Sequence, residues 1–213
     1  MRYVSLKMML PILLAGSAGI THAASLINGS FEQGNYTPPG ADTMTLLPGS
    51  TDITGWLVHT DPIAWIGPNN PWSLTASEGD YFLDLTDYST GAPFGGISQE
   101  IDTRIGQSYE VTFDLGSSNI WGRPSAIQVN AAGTSQVFAS STTGGISDWE
   151  NFSMLFTANS ELTTISFAGH TGRQYIGLDN VAVNPVPIPA AVWLFGSALP
   201  ILLGFRVRKK HNA

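Results

Sequence analysis
The 213-residue sequence contains no cysteine, so it can build neither a disulfide framework nor a thiolate metal site. Lysine is missing from residues 32–179, where the basic residues are only Arg104, Arg123 and Arg173. All sixteen acidic residues stand in that stretch, from Glu32 to Asp179, so it carries a net charge of −13 while the whole chain carries −7. Such a surface repels phosphate backbones and anionic headgroups, which excludes nucleic acid as a partner, and it attracts divalent cations. Helical periodicity is absent from the middle of the chain, and long apolar runs occur only towards its two ends.

Those two ends read as processing signals. Arg2 and Lys7 form a positive segment, residues 8–20 are an apolar stretch containing Pro11 and Gly16, and Thr21 and Ala23 place small residues at −3 and −1 of a cleavage site. This is the pattern of a signal peptide over residues 1–23. At the other end, residues 185–213 open on Pro185, Pro187 and Pro189, which hold the chain extended. An unbroken apolar run follows over 190–205, then Arg206, Arg208, Lys209 and Lys210. An apolar helix with a basic end is a membrane stop whose basic side stays in the cytoplasm, so the body lies across the membrane. Sixteen helical residues rise ~24 Å against a hydrocarbon core of ~30 Å. Even extended to a membrane helix over 190–207, and with Pro200 inside it, the span is marginal. A handle held briefly and then processed suits that length better than a permanent anchor.

The run Val186-Pro187-Ile188-Pro189, followed by Ala190-Ala191-Val192-Trp193-Leu194-Phe195-Gly196-Ser197 and the basic end, resembles the PEP-CTERM sorting tail of Gram-negative bacteria. Ile188 stands where the namesake motif has an acidic residue, and Pro200 where members usually carry Leu or Gly. The resemblance implies recognition by an exosortase-type transpeptidase in the inner membrane. It also implies transient anchoring there, and release to the cell surface or extracellular matrix.

Residues 24–184 are left as one domain, large enough for a real core. Gly, Ser, Thr, Asn and Pro punctuate short apolar runs, and the cleanest alternation is Tyr109-Glu110-Val111-Thr112-Phe113-Asp114-Leu115, with apolar residues on one face and polar residues on the other. The pattern predicts strands over 25–28, 56–59, 81–85, 97–101, 109–115, 126–130, 136–139, 151–157, 163–168 and 175–183. About ten short strands call for an all-β sandwich of two packed sheets. In the last strand Ile176 and Leu178 fall on one parity and Val181 and Val183 on the other, which predicts a bulge at Asp179-Asn180.

Taken in order, Asn28-Gly29-Ser30-Phe31-Glu32, Gly55-Trp56, residues 77–85, Gly96-Ile97-Ser98-Gln99-Glu100, Gly106-Gln107-Ser108-Tyr109 and Gly177-Leu178-Asp179-Asn180-Val181 resemble the choice-of-anchor C domain and its plant cell-wall relatives. That resemblance implies a galactose-binding-like, carbohydrate-binding-module-like jelly-roll sandwich. It also implies a structural Ca²⁺ joining the first and last strands, with Glu32 and Asp179 as side-chain ligands and carbonyls of residues 77–80 completing an oxygen shell. The opposing reading is that Glu32 caps a turn and Asp179 accepts backbone N–H bonds.

Aromatic residues in loops are the second place where function would sit, because sugar rings stack their C–H faces on Trp and Tyr. Trp56 and Trp149 each start a strand and read as core. Trp65 and Trp72 flank the turn-rich residues 66–71, and Trp121 lies beside Arg123 in a loop. Trp65, Trp72, Trp121 and Arg123 are therefore the candidates for contact with an extracellular polysaccharide. Catalysis has little support: only His59 and His170 lie in the domain, with no HExxH and no Gly-x-Ser-x-Gly. Asp84, Asp87, Glu100 and Asp102 are the carboxylates a glycoside hydrolase would need to pair, but exposed carboxylates on strands ordinarily keep a sheet soluble. The expectation is an exported, non-catalytic, polysaccharide-binding protein, with a non-binding structural protein of a biofilm matrix as the alternative and a small glycoside hydrolase third.

Overall fold
The computed structural model describes residues 26–121, 125–141 and 144–187; the expected signal peptide and membrane helix lie outside them. The described residues form eleven strands and no helix. They are Thr43–Leu46 (β1), Leu57–His59 (β2), Ile63–Ile66 (β3), Phe82–Asp84 (β4), Gly96–Asp102 (β5), Ser108–Ser117 (β6), Ala126–Ala131 (β7), Thr134–Ala139 (β8), Asp148–Thr157 (β9), Leu162–Thr171 (β10) and Gly177–Pro185 (β11). Two antiparallel sheets face each other, in the orders β1-β3-β4-β11-β6-β9 and β2-β5-β10-β7-β8. The all-β, two-sheet sandwich is thus as expected.

Period-two patterning sets which side chains enter the core between the sheets. Tyr109, Val111, Phe113 and Leu115 of β6 do so, with Ile97 and Ile101 of β5, Ile127 and Val129 of β7, Ile165 and Phe167 of β10, and Leu178, Val181 and Val183 of β11. The parity change in β11 is a real bulge. Asp179 pairs with Asp114 and Ala182 with Thr112, so Asn180 and Val181 together oppose Phe113. Asn180 takes the left-handed conformation, with φ 50°, which an Asn tolerates better than most residues.

The strands expected from the sequence leave out β1 and β3 and include residues 25–28, whose described part forms none; two of these three differences have local causes. Residues 25–28 were expected to form a strand, but no strand covers the described part. Asn28 sits at φ 53°, and its side chain donates to Gln33 O and Thr54 O and accepts from Gln33 N, the kind of local side-chain bonding that competes with a ladder. In the other direction, β3 was not expected. Its four residues Ile63, Ala64, Trp65 and Ile66 are all buried, so no alternation marks it.

That double burial follows from a second, smaller core on the far side of the six-stranded sheet. Ile63 and Trp65 point into the main core, whereas Ala64, Ile66, Phe82, Leu74 and Tyr175 form the second cluster, with Trp72, Tyr88, Trp121 and Trp149 packed on it. The cluster seats itself on a gap in the sheet. Gly177 pairs with Gly116 across β11 and β6, and a Cβ on either glycine would meet the Tyr175 hydroxyl and the Trp149 ring, the latter at 2.9 Å. Gly177→Ala is therefore expected to destabilise the domain by about 1–3 kcal/mol through overpacking. Gly40→Ala, where an added Cβ meets nothing within 4 Å, should change stability little. Urea unfolding of the two variants checks this, and equal midpoints would contradict it.

Candidate functional site
The second core carries a cavity of about 160 Å³ lined by Trp72, Leu74, Tyr88, Trp121 and Gln174. Four separate segments bring these residues together, three of them anchored by a side chain that is itself buried. The first is the segment between β3 and β4, shaped by Asn70. Its amide donates to Gly67 O at 2.9 Å and Leu74 O at 2.8 Å, and its carbonyl accepts from the N–H groups of Trp72 and Leu74. These bonds close a tight turn that lays Leu74 against the sheet and leaves Trp72 partly exposed above it.

Tyr88 follows β4 in a turn built on Asp84. That carboxylate is buried, and it accepts from the N–H groups of Thr86 and Tyr88, the Thr86 hydroxyl and Ile176 N. The bonds hold Asp87 and Tyr88 at positive φ, 44° and 65°. Burial raises the Asp84 pKa to about 6, and the hydrogen bonds only partly offset it. Tyr88 packs on Trp72 with ring centroids 4.9 Å apart at 35°, and its hydroxyl pairs with that of Thr43. Burial first, with the nearby Asp84 and Asp87 charges adding to it, raises the Tyr88 phenol well above its ordinary range, so it stays neutral.

Trp121 sits after β6 in a turn where the buried Ser118 hydroxyl accepts the N–H groups of Ile120 and Trp121 at 3.2 Å each. Its indole N–H donates to Trp72 O, tying the two tryptophans together. Gln174 adopts φ 64° and donates its backbone N–H to Ser89 O at 2.7 Å, which brings a carboxamide to the wall. Chemically the site offers two partly exposed indoles, a neutral phenol, an aliphatic floor and one amide.

Of the expected ligand contacts, Trp72 and Trp121 meet in this cavity. Trp65 does not, and the expectation for it is corrected. It is 1% exposed in β3, its indole N–H donates to Phe31 O, and its ring packs edge-on to Tyr36 inside the main core. Arg123 lies outside the described residues. Tyr88, Leu74 and Gln174 were not anticipated. An Asp84-x-Thr86 turn signal precedes Tyr88, but nothing in the sequence marks Gln174.

Glu32 and Asp179 do converge on one segment, residues 77–81, from opposite ends of the chain. Asp179 accepts the N–H groups of Ser77 and Glu78 at 2.8 and 2.9 Å, and Glu32 those of Asp80 and Tyr81 at 2.9 and 2.8 Å. Asp179 also accepts Asn180 N, while its cross-strand neighbour Asp114 accepts Asn151 and Asn180 amides and the Ser77 hydroxyl. A calcium shell needs carbonyl and carboxylate oxygens turned to one point. Here the segment turns N–H groups to both carboxylates, and among the described residues no group of three His, Cys, Asp or Glu could hold a metal ion. These residues do not fit the calcium expectation; they are hydrogen-bond acceptors that tie the segment down.

The carboxylates weighed for glycoside hydrolysis fall in two separate places, Asp84 and Asp87 in one turn and Glu100 and Asp102 on the other sheet. Asp84 is buried in the turn just described, Asp87 accepts the Thr45 hydroxyl, and Glu100 and Asp102 are exposed on β5 of the other sheet. In the sorting motif, Val186 still belongs to the domain, since its N–H donates to Ser108 O and its carbonyl accepts the Gln107 amide. Pro187 is exposed. Ile188, Pro189, Arg206, Arg208, Lys209 and Lys210 lie outside the described residues.

A model of the family described as protein of unknown function DUF642 matches residues 24–184. No curated protein matches the chain. Among solved structures, a family 4 carbohydrate-binding module is similar at 19% identity and TM-score 0.42, covering 75% of this chain and 98% of its own. TmCBM61, solved with β-1,4-galactotriose, is similar at 22% identity and TM-score 0.44, covering 76% and 97%. A family 35 module from Clostridium thermocellum is similar at 13% identity and TM-score 0.43, covering 66% and 97%.

Two outcomes follow from the carboxylate geometry. EDTA or added Ca²⁺ should move the melting temperature of the domain by less than about 1 °C, because a ligand that binds neither state shifts nothing; a rise of several degrees with Ca²⁺ would show that the two carboxylates do hold the ion. The pH dependence has a definite sign. Burial raises Asp179 to about 7 and Asp84 to about 6, above the ~3.9 of an unfolded Asp. Between those values the folded state binds more protons, so stability falls as pH rises from about 4 to 7. Asp179→Asn should flatten that slope in melting curves taken across the range, and an unchanged slope would contradict it.

Proposed function
The chain belongs to the DUF642 family, and we propose that in this member the sandwich is a non-catalytic saccharide-binding module carried outside the cell. The observation that supports this reading is the aromatic cavity, where Trp72, Tyr88 and Trp121 meet beside the Gln174 carboxamide. Indole and phenol faces stack on the C–H faces of sugars, and a single amide orients a hydroxyl. Among the described lining residues the one titratable side chain is the Tyr88 phenol, held neutral by burial and so unsuited to act as a general acid or base in hydrolysis. The partner is then an extracellular polysaccharide.

Export and sorting belong to the same reading. Residues 1–23 would be removed by signal peptidase, the basic end at Arg206 to Lys210 would arrest the tail in the inner membrane of a Gram-negative cell, and an exosortase-type transpeptidase would act at Val186-Pro187-Ile188-Pro189. Among the described residues the last hydrogen-bonded one at that end of the domain is Val186. Removal of the chain beyond Val186 leaves the pairing of β11 untouched, and the folded module would be released to the surface or matrix.

Pull-down on insoluble polysaccharides tests the binding half. Trp72→Ala and Trp121→Ala should each weaken retention at least about tenfold, as loss of an aromatic anchor does, while the circular dichroism stays β-type. Retention unchanged in both variants would remove the cavity from the account. Intact-mass analysis of the mature protein from its own host tests the sorting half. The reading expects a C-terminus within residues 186–189, and a mass that retains Trp193 to Lys210 would contradict it.

A further inference from the structure
We propose, resting on the saccharide reading above, that the cavity takes the terminal unit of a neutral glycan end-on and does not hold the interior of a chain. Size is the first argument. At about 160 Å³ the cavity is smaller than the ~300–1,000 Å³ of sites that enclose larger ligands. With liquid water occupying ~30 Å³ per molecule, it holds roughly five waters, the scale of one sugar ring rather than two.

Enclosure is the second argument. The walls come from four segments of the chain, around Trp72 and Leu74, Tyr88, Trp121 and Gln174. Each is fixed independently, by Asn70, Asp84, Ser118 and the Ser89 carbonyl respectively. Trp72 and Tyr88 pack on each other, so they form one wall and leave no slot between them. The Trp121 indole is bonded to the Trp72 backbone, which ties a second wall to the first. Within about 160 Å³ the described walls leave room for a short stretch of ligand, not for several consecutive units of a chain.

Charge is the third argument. Among the described residues no lining side chain is charged, and the surrounding domain carries −13 with no lysine. A uronic acid, sulfate or phosphate on the bound unit would find no counter-ion among the described lining residues and would enter against that field. The unit that fits is therefore an uncharged pyranose presenting an apolar face to the indoles.

The test uses the full-length chain in detergent, with tryptophan fluorescence and calorimetry as readouts. Probes are galactose, glucose and xylose, their linear oligomers of two to six units, the corresponding polymers, and oligogalacturonate as the charged comparison. One neutral series should bind already as the monosaccharide, gaining no more than about threefold in affinity from two units to six. Capacity on its polymer should double when mild hydrolysis doubles the number of chain ends, and oligogalacturonate should bind at least about tenfold more weakly. Trp72→Ala and Trp121→Ala should abolish the signal. Affinity that climbs tenfold or more with length, or capacity that follows mass rather than ends, overturns end-on binding while leaving the cavity a saccharide site. Preference for oligogalacturonate overturns the neutral assignment. No binding in any series, or binding unchanged in both tryptophan variants, overturns the saccharide reading with it.

Discussion
Four backbone N–H bonds to two carboxylates decide what the rest of the molecule can do. The segment between β3 and β4 contains no strand, yet it must lie across one face of the six-stranded sheet. Asp179 and Glu32 grip its end at residues 77, 78, 80 and 81, reaching from positions 102, 101, 48 and 49 residues away in sequence. Charge-assisted bonds of this kind are stronger than neutral ones, and they offset part of the cost of burying Asp179. Thr75 adds a further tie, accepting the Trp149 indole N–H and bonding in both directions with the Ser147 hydroxyl. Held at that end and folded on Asn70 at the other, the segment has little choice about where Trp72 and Leu74 go.

The position of the site is a consequence of that constraint. A sandwich normally buries one face of each sheet and leaves the other to water. Here part of the outer face is also covered, because Gly116 and Gly177 leave room for Tyr175 and Trp149 to sit close to the backbone. Leu74 and Phe82 complete a small apolar layer, and the aromatic cavity is its unfinished edge. Packing that stabilises the cover and surface that could bind a ligand are therefore made of the same residues. Trp72 is partly exposed because the layer ends there.

How much of this was legible in the sequence depends on whether one face of an element meets water. The strand β6 alternates cleanly from Tyr109 to Leu115 and was readable, and the parity slip in β11 marked the position of the bulge. By contrast, β3 presents Ile63-Ala64-Trp65-Ile66, buried on both sides, and without alternation Trp65 passed for a loop residue. At the cavity, Trp72 and Trp121 stood out as aromatics among turn formers. Tyr88 and Gln174 did not, since their left-handed backbones are imposed by Asp84 and Ser89 from elsewhere in the fold. For Glu32 and Asp179 the residue types and even the partner segment were legible, but not which side of the peptide would face them. Sequence shows that a loop can offer carbonyls; only the fold shows that this one offers N–H groups.

The claim on which the account rests is that the cavity between Trp72 and Trp121 is where a saccharide meets this protein. The indole N–H resonances of the domain report on it directly, because Trp56 and Trp65 donate to Asn28 O and Phe31 O away from the cavity lining. Titrating a bound neutral saccharide into the ¹⁵N-labelled domain should shift the Trp72 and Trp121 indole signals and leave those of Trp56 and Trp65 in place. Saturable binding with the Trp72 and Trp121 signals unmoved would put the ligand elsewhere and contradict the account.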